Sequence, residues 1–94
     1  MQPYRWALAA GTAGKERDPV LVAIGRQIRS LREGQEVAQE EFAARASLDR
    51  SYYGGVERGE RNLSALNLVR IALTLGGEIG QLFPSSSALA NVQH

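Results

Sequence analysis

The sequence predicts an all-α domain of five helices, and three observations support this fold class. Apolar residues recur at spacings of three and four along most of the chain, which is the period of amphipathic helices. Residues that favour helix N-caps, such as Asp18 and Ser64, precede these stretches, and glycines follow them. No persistent alternation of apolar and polar residues indicates a half-buried strand.

The composition is typical of one soluble domain and excludes several kinds of site. The chain has 94 residues, of which 44% are hydrophobic and 22% charged, so one core is expected. A net charge of +1 gives no general affinity for polyanions, so a nucleic-acid site must depend on local arrangement. The absence of cysteine excludes disulfides and cysteine nucleophiles.

The longest apolar stretch near the start of the chain runs from Trp6 to Ala13, and glycine and threonine interrupt it. It is far shorter than the ~20 residues that span a bilayer. Its position after Arg5 is weakly similar to a signal peptide, but no later segment is typical of a secreted protein. We therefore expect a cytoplasmic protein without a membrane partner.

The N-terminal residues 1–18 are predicted to form an arm, because Pro3 and Gly11 interrupt any helix. Asp18 is expected to cap the first helix, with Pro19 at its first position. Apolar residues at helical spacing then predict a helix to about residue 33: Leu21, Ile24, Ile28 and Leu31.

Two short helices are predicted in the middle of the chain. The first covers residues 39–46 and carries Phe42, Ala43 and Ala46 on one face. Asp49 is expected to cap the second, because its carboxylate can accept from exposed backbone N–H groups. That helix should continue to about residue 58 and end at Gly59.

A fourth helix is predicted after Ser64 and a short fifth one over residues 78–82. The fourth should end at Gly76 and Gly77, and the fifth before Pro84. The folded domain is therefore expected over residues 19–84, with a polar tail over 85–94. The helical period of the fourth helix starts at Ala65, and its core-facing residues are expected to be Leu68, Ile71, Ala72 and Leu75.

The segment from Gln39 to Arg58 has the pattern of a helix-turn-helix. Two helices that pack steeply across a short turn need a small residue where they cross, and Ala43 fits that position. The outer face of the third helix then remains free to enter a major groove. The inward positions are Phe42, Ala46, Leu48, Tyr53 and Val56.

From about Ile24 to Phe83 the chain resembles the Cro-type helix-turn-helix family of phage repressors and bacterial xenobiotic-response-type regulators. It is especially similar to small restriction-modification controller-type regulators. The resemblance implies a lambda-repressor-like fold and a transcriptional regulator, such as a repressor, that binds operator DNA as a homodimer. The residues that carry it are Gln39, Ala43, the run LDRSYYGGVERGERN from Leu48 to Asn62, and Ile71-Ala72.

Three residues depart from the family pattern. The family usually has glycine where Ser47 and Glu36 stand, and glycine adopts positive φ at lower cost. It favours serine or threonine where Ala38 stands, so the N-cap of the second helix should be weaker by about 1 kcal/mol. We expect a slightly strained or altered turn and an intact reading face.

The resemblance implies that Arg50, Ser51 and Tyr52 read bases, with Gly55 one turn later. Arg50 can donate two hydrogen bonds to guanine O6 and N7, although a merely solvated charge is the alternative. Tyr52 could pack on a thymine methyl or bind a phosphate. Gly54 and Gly55 cost roughly 1 kcal/mol each relative to alanine. A close approach of the helix to DNA would offset this cost, and the alternative is that a stably packed helix simply tolerates both glycines.

Four further residues are expected to bind phosphates. The amide of Gln39 lies at the start of the second helix, where unpaired N–H groups assist anion binding. Solvated surface side chains are the alternative for all four. The other three lie where the family's backbone contacts occur: Arg58, Arg61 and Asn62.

The resemblance also implies a structural ion pair between Arg32 and Glu57. A second apolar face is predicted on the fourth helix, and a two-fold dimer through it would match a pseudo-palindromic operator. The fifth helix and the arm could cover this face instead. The expected interface residues are Leu66, Val69, Leu73, Ile79, Leu82 and Phe83.

No enzyme, cofactor or metal site is expected. The sole histidine, His94, is terminal, and no nucleophile and base occur at a known spacing. The alternative function is an antitoxin-type protein-interaction module in which DNA binding is secondary. In that case the apolar arm over residues 1–18 would contact the partner protein.

Overall fold

The computed structural model describes residues 17–92, so most of the predicted arm and His94 lie outside the described residues. Within that range the chain is all-α and contains no strand, as predicted. The elements are α1 (Pro19–Gly34), α2 (Gln39–Arg45), α3 (Arg50–Glu57), α4 (Ala65–Leu75), the 3₁₀ helix η1 (Ile79–Leu82) and α5 (Ser86–Asn91).

Three of these helices begin at the predicted N-caps. The Asp18 carboxylate accepts from the N–H of Val20 at 2.8 Å, and that of Asp49 accepts from the N–H of Tyr52 at 3.0 Å. The Ser64 hydroxyl accepts from the N–H of Asn67 at 3.1 Å. Each side chain therefore satisfies one of the backbone donors that a helix leaves unpaired at its start.

The turn between α2 and α3 contains a residue in the left-handed conformation. This agrees with the glycine that the family usually has at this position. Ser47 has φ 58°, its N–H donates to the Ala44 carbonyl, and the N–H of Leu48 donates to the Ala43 carbonyl. These two bonds form a Schellman ending. Glu36 also has φ 58°, and Ala38 provides no side-chain cap to α2. The family's preference for glycine and a hydroxyl residue here therefore has a backbone cause.

The core lies between α1, α3 and α4 and is closed by α2 and η1. The Phe42 and Tyr53 rings pack against each other with centroids 5.0 Å apart and planes tilted by 33°, which joins α2 to α3. Burial of this face sets the orientation of α3 relative to the rest of the domain. The buried apolar residues are Ile24, Ile28, Phe42, Ala43, Ala46, Tyr53, Val56, Ile71, Ala72 and Leu82.

A close approach between α1 and α3 depends on Gly25. A Cβ atom on this residue would lie 2.4 Å from the carbonyl oxygen of Val56 and 2.6 Å from that of Glu57. Only glycine therefore permits this separation of the two helices. Sequence analysis identified Ala43 as the small residue at a crossing but missed Gly25, because its partners are more than 30 positions away in the chain.

The C-terminal part differs from the prediction in two ways. The predicted fifth helix is a single 3₁₀ turn, and the segment predicted as a polar tail contains α5. The Ser85 hydroxyl caps α5 by accepting from the N–H of Ala88 at 3.1 Å. Sequence analysis interpreted the three serines as tail residues and so missed a helix start. In residues 17–92, no helix has the length and apolar character needed to cross a membrane.

Candidate nucleic-acid interface

The N-terminus of α3 presents Arg50 and Ser51 to solvent. Because Asp49 caps this end, the first turn of α3 is held in helical geometry with both side chains outside the core. They border an open depression of about 220 Å³. We call this surface the candidate DNA face; it is lined by Gln39, Arg50, Ser51, Gly54 and Arg58.

Tyr52 lies beside this face and is half-buried. Its hydroxyl donates to the backbone carbonyl of Asn62 at 3.3 Å and accepts from the Asn67 side-chain amide at 3.1 Å. Two of the predicted DNA-binding residues, Tyr52 and Asn62, are therefore in contact. Sequence analysis missed Asn67, because a position on the core-flanking side of α4 gave no signal of contact with α3.

Gly54 and Gly55 are both buried, and arginine side chains cover them. A Cβ atom on Gly55 would lie 2.8 Å from Cγ of Arg61, and one on Gly54 would lie 3.0 Å from Nη1 of Arg58. This placement corrects the expected role of Gly55. Gly55 is buried and offers little surface to a base, but its lack of a side chain leaves room for the Arg61 stem to lie against α3.

Gln39 connects the candidate DNA face to the interior. Its amide N–H donates to Oε1 of Glu57 at 3.0 Å, and the side chain is partly buried. An amide has two N–H donors, so this bond leaves one for another partner. The phosphate-binding position predicted for Gln39 is therefore held in place by a residue at the end of α3.

Arg32 and Glu57 form an ion pair with two hydrogen bonds. Nε of Arg32 donates to Oε2 at 2.7 Å and Nη2 donates to Oε1 at 3.1 Å, while Nη1 donates to the Val37 carbonyl at 2.8 Å. The side chains are only 10% and 2% exposed. The pair joins α1 to the C-terminal end of α3 and so contributes to the presentation of the candidate DNA face.

Burial and hydrogen bonding shift the pKa of the Glu57 carboxyl in opposite directions. Burial alone would raise the pKa of the Glu57 carboxyl, but the hydrogen bonds from Arg32 and Gln39 lower it overall. The hydrogen bond to Glu57 raises the pKa of Arg32. The Tyr53 hydroxyl is buried nearby and makes no hydrogen bond of normal geometry within residues 17–92. Burial accordingly raises its pKa.

The loop after α3 carries exposed charges. Arg61 and Asn62 are exposed, as is Arg58, whose Nε donates to Glu60 Oε1 at 3.0 Å. The other oxygen of Glu60 accepts from Arg17 at 2.9 Å. Sequence analysis placed Arg58, Arg61 and Asn62 in this region and did not assign a role to Glu60.

An apolar patch lies on α4 and η1. Its exposed fractions are 59% for Leu66, 36% for Val69, 74% for Leu73 and 44% for Ile79. The expected inclusion of Leu82 was wrong, since this residue is 1% exposed and belongs to the core. Phe83 is half-buried and also packs on the core. A one-turn 3₁₀ helix directs Leu82 inward and Ile79 outward, which the pattern did not distinguish.

The helix-turn-helix family profile matches residues 28–82. The control protein C.MunI of a Mycoplasma species is 40% identical over 65 residues, covering 68% of this chain and 88% of that protein. The control protein C.SmaI of Serratia marcescens is 34% identical over 59 residues, covering 63% of this chain and 70% of that protein.

Among solved structures, the restriction-modification controller protein C.AhdI from Aeromonas hydrophila is 46% identical, with a TM-score of 0.66. The match covers 67% of this chain and 96% of that one. The similarity therefore extends well beyond the two helices that surround the candidate DNA face.

Proposed function

Because the chain belongs to the helix-turn-helix family and is similar to its small restriction-modification controllers, we propose that it binds a pseudo-palindromic operator as a homodimer. The family is a regulatory one, and the chain is a DNA-binding transcriptional regulator. The form of the operator, the residues that contact it and the dimeric assembly are proposed in addition to this function.

The observation that carries the proposal is the exposure of Arg50 and Ser51 at the capped start of α3. An arginine at this position can donate two parallel hydrogen bonds to guanine O6 and N7, and a serine can donate or accept at a base edge. The Arg50 side chain is exposed and borders the candidate DNA face. Its donors are therefore available to a base.

Tyr52 is assigned the third reading position. Its ring is half-exposed beside Ser51, while its hydroxyl contacts Asn62 and Asn67. In this position the ring can pack on a thymine methyl without breaking either hydrogen bond. The hydroxyl bonds hold the ring at the edge of the candidate DNA face, which limits the conformational entropy lost on binding.

Phosphate binding is assigned to the residues around the reading helix. Arg58 and Gln39 line the candidate DNA face, and Arg61 and Asn62 are exposed in the loop that follows α3. Contacts to phosphates fix the register of a protein on DNA but carry no sequence information. Gly55 contributes indirectly, by accommodating the Arg61 side chain.

The dimer is assigned to the apolar patch. Leu66 and Leu73 expose more than half of their side chains, and Val69 and Ile79 extend the same surface. An exposed cluster of this kind is typical of an association surface. A two-fold dimer through it would present two α3 helices about 34 Å apart, matching half-sites about 10 base pairs apart.

The genes under control are proposed to be those of a restriction-modification system. The protein is proposed to act in the cytoplasm. C.MunI and C.SmaI are control proteins, and C.AhdI is a restriction-modification controller. This assignment rests on similarity to those proteins and not on the fold, because proteins that share this fold and reading face control many different sets of genes.

Selection of bound sequences from a random DNA pool tests the proposal. We expect enrichment of two inverted half-sites with centres about 10 base pairs apart. Enrichment of a single half-site would contradict the dimer, and a pool that stays random would contradict sequence-specific reading. The Arg50→Ala variant should enrich sequences that have lost preference at one position in each half-site.

A further inference from the structure

Glu60 accepts hydrogen bonds from two arginines at once, one on each carboxylate oxygen. Nε of Arg58 donates to Oε1 at 3.0 Å, and Nη2 of Arg17 donates to Oε2 at 2.9 Å. All three side chains remain at least 36% exposed. Exposed ion pairs of this kind add little to fold stability, so a role beyond folding is open to this group.

The cluster borders the candidate DNA face. Nη1 of Arg58 lies 3.0 Å from the position that a Cβ atom would occupy on Gly54, and Arg58 lines the same depression as Arg50 and Ser51. Glu60 thus places a negative charge beside the surface assigned to phosphates. The hydrogen bond from Arg58, reinforced by Arg17, holds the pKa of the Glu60 carboxyl below its ordinary value, so this charge persists at neutral pH.

We propose that Glu60 sets the strength of DNA binding by competing with the phosphates for Arg58 and Arg17. This inference rests on the proposed function and adds Arg17 to the residues that bind phosphate. Nε of Arg58 is engaged by Glu60 in the free protein, so a phosphate gains that donor only by displacing the carboxylate.

The competition acts equally on every DNA sequence. Phosphate contacts carry no sequence information, so Glu60 lowers the affinity for operator and for random DNA by the same factor. It leaves the preference for the operator unchanged. The protein therefore binds bulk DNA less strongly than its arginine content alone would permit.

The direct test is Glu60→Gln, with dissociation constants measured on the selected operator and on a random duplex of equal length. We expect both constants to fall about threefold to tenfold at low salt, with their ratio unchanged. The matched control is Glu33→Gln, which removes the same charge from an exposed pair with Arg29 at 3.1 Å. The control should change either constant by less than about twofold.

Two further variants separate competition from simple repulsion. In an Arg17→Gln, Arg58→Gln background, Glu60→Gln should give almost no gain, because no competing arginine remains. Arg17→Gln alone should weaken binding to both duplexes by about twofold to fivefold. Melting of each variant checks that the fold is retained.

The outcomes are distinct. Equal affinities of wild type and Glu60→Gln would overturn the inference, as would a full gain in the double-arginine background or an equal gain from Glu33→Gln. If wild-type protein binds neither duplex, the proposed function itself fails. Failure of the Glu60 inference alone is different, because the wild-type protein then still binds both duplexes.

Discussion

The guanidinium of Arg32 and the carboxylate of Glu57 meet in two hydrogen bonds at the point where α1 supports the end of α3. A buried pair of this kind adds little net stability over apolar packing, yet removal of one partner leaves a buried charge. The relationship therefore matters most when only one side is changed.

Glu57→Ala should destabilise the domain by about 3 kcal/mol, because Arg32 would remain buried with only the Val37 carbonyl as a partner. Glu60→Ala should melt close to wild type, since the Glu60 pairs are exposed. Denaturant unfolding of both variants measures the difference. Equal midpoints and slopes would contradict a stabilising role for the buried pair.

Ser47→Gly should stabilise the domain by about 0.5 to 1 kcal/mol. Ser47 has φ 58°, and a left-handed residue other than glycine costs roughly 1 to 2 kcal/mol, part of which the flexibility of unfolded glycine offsets. Ser30→Gly is the control, since Ser30 is exposed in the interior of α1. It should destabilise by a similar amount. A lower melting temperature for Ser47→Gly would contradict the assigned strain.

The starts of α1, α3 and α4 were predictable because their causes are local. Asp18, Asp49 and Ser64 cap helices that begin at the next residue, and each cap bond closes within three positions of the chain. The left-handed turns at Glu36 and Ser47 were also predictable, because the family pattern has glycine there. Backbone geometry of this kind depends on residues that are neighbours in the chain.

Contacts between distant residues were less predictable. Gly25 is required only because the carbonyls of Val56 and Glu57 pack against it, and Leu82 is buried only because the core extends to η1. The positions of Arg32 and Glu57 let the first helix and the end of the third meet, but the ion pair itself was expected from the resemblance to a family. The hydrogen bond from Gln39 to Glu57 was not expected at all, because a surface glutamine at a helix start usually has many possible partners.

Gly55→Ala should weaken DNA binding several-fold on all sequences without unfolding the domain. The added Cβ would lie 2.8 Å from Cγ of Arg61 and would displace that side chain, although alanine favours the helix by roughly 1 kcal/mol. Gly34→Ala is the control, because nothing lies within 4 Å of its added Cβ. Unchanged affinity of Gly55→Ala on a random duplex would contradict the role of Gly55 in positioning Arg61.

Changing Leu66 and Leu73 together to glutamine should give a folded monomer that binds a full operator much more weakly. Both side chains are mostly exposed in a single chain, so the core should be unaffected. Sedimentation measures the assembly. The control is Val92→Gln, which changes an exposed apolar residue outside the patch and should leave the dimer intact. A double variant that still sediments as a dimer would place the interface elsewhere.

The central claim is that Arg50 reads a base while Arg61 binds the backbone. Titration of Arg50→Ala and Arg61→Ala on the operator and on a random duplex tests it most directly. Arg50→Ala should lose about 1 to 3 kcal/mol on the operator and little on the random duplex. Arg61→Ala should lose equal binding free energy on the operator and on the random duplex, and it should reduce the slope of log affinity against log salt concentration by about one. Equal losses on the two duplexes for Arg50→Ala would contradict the account.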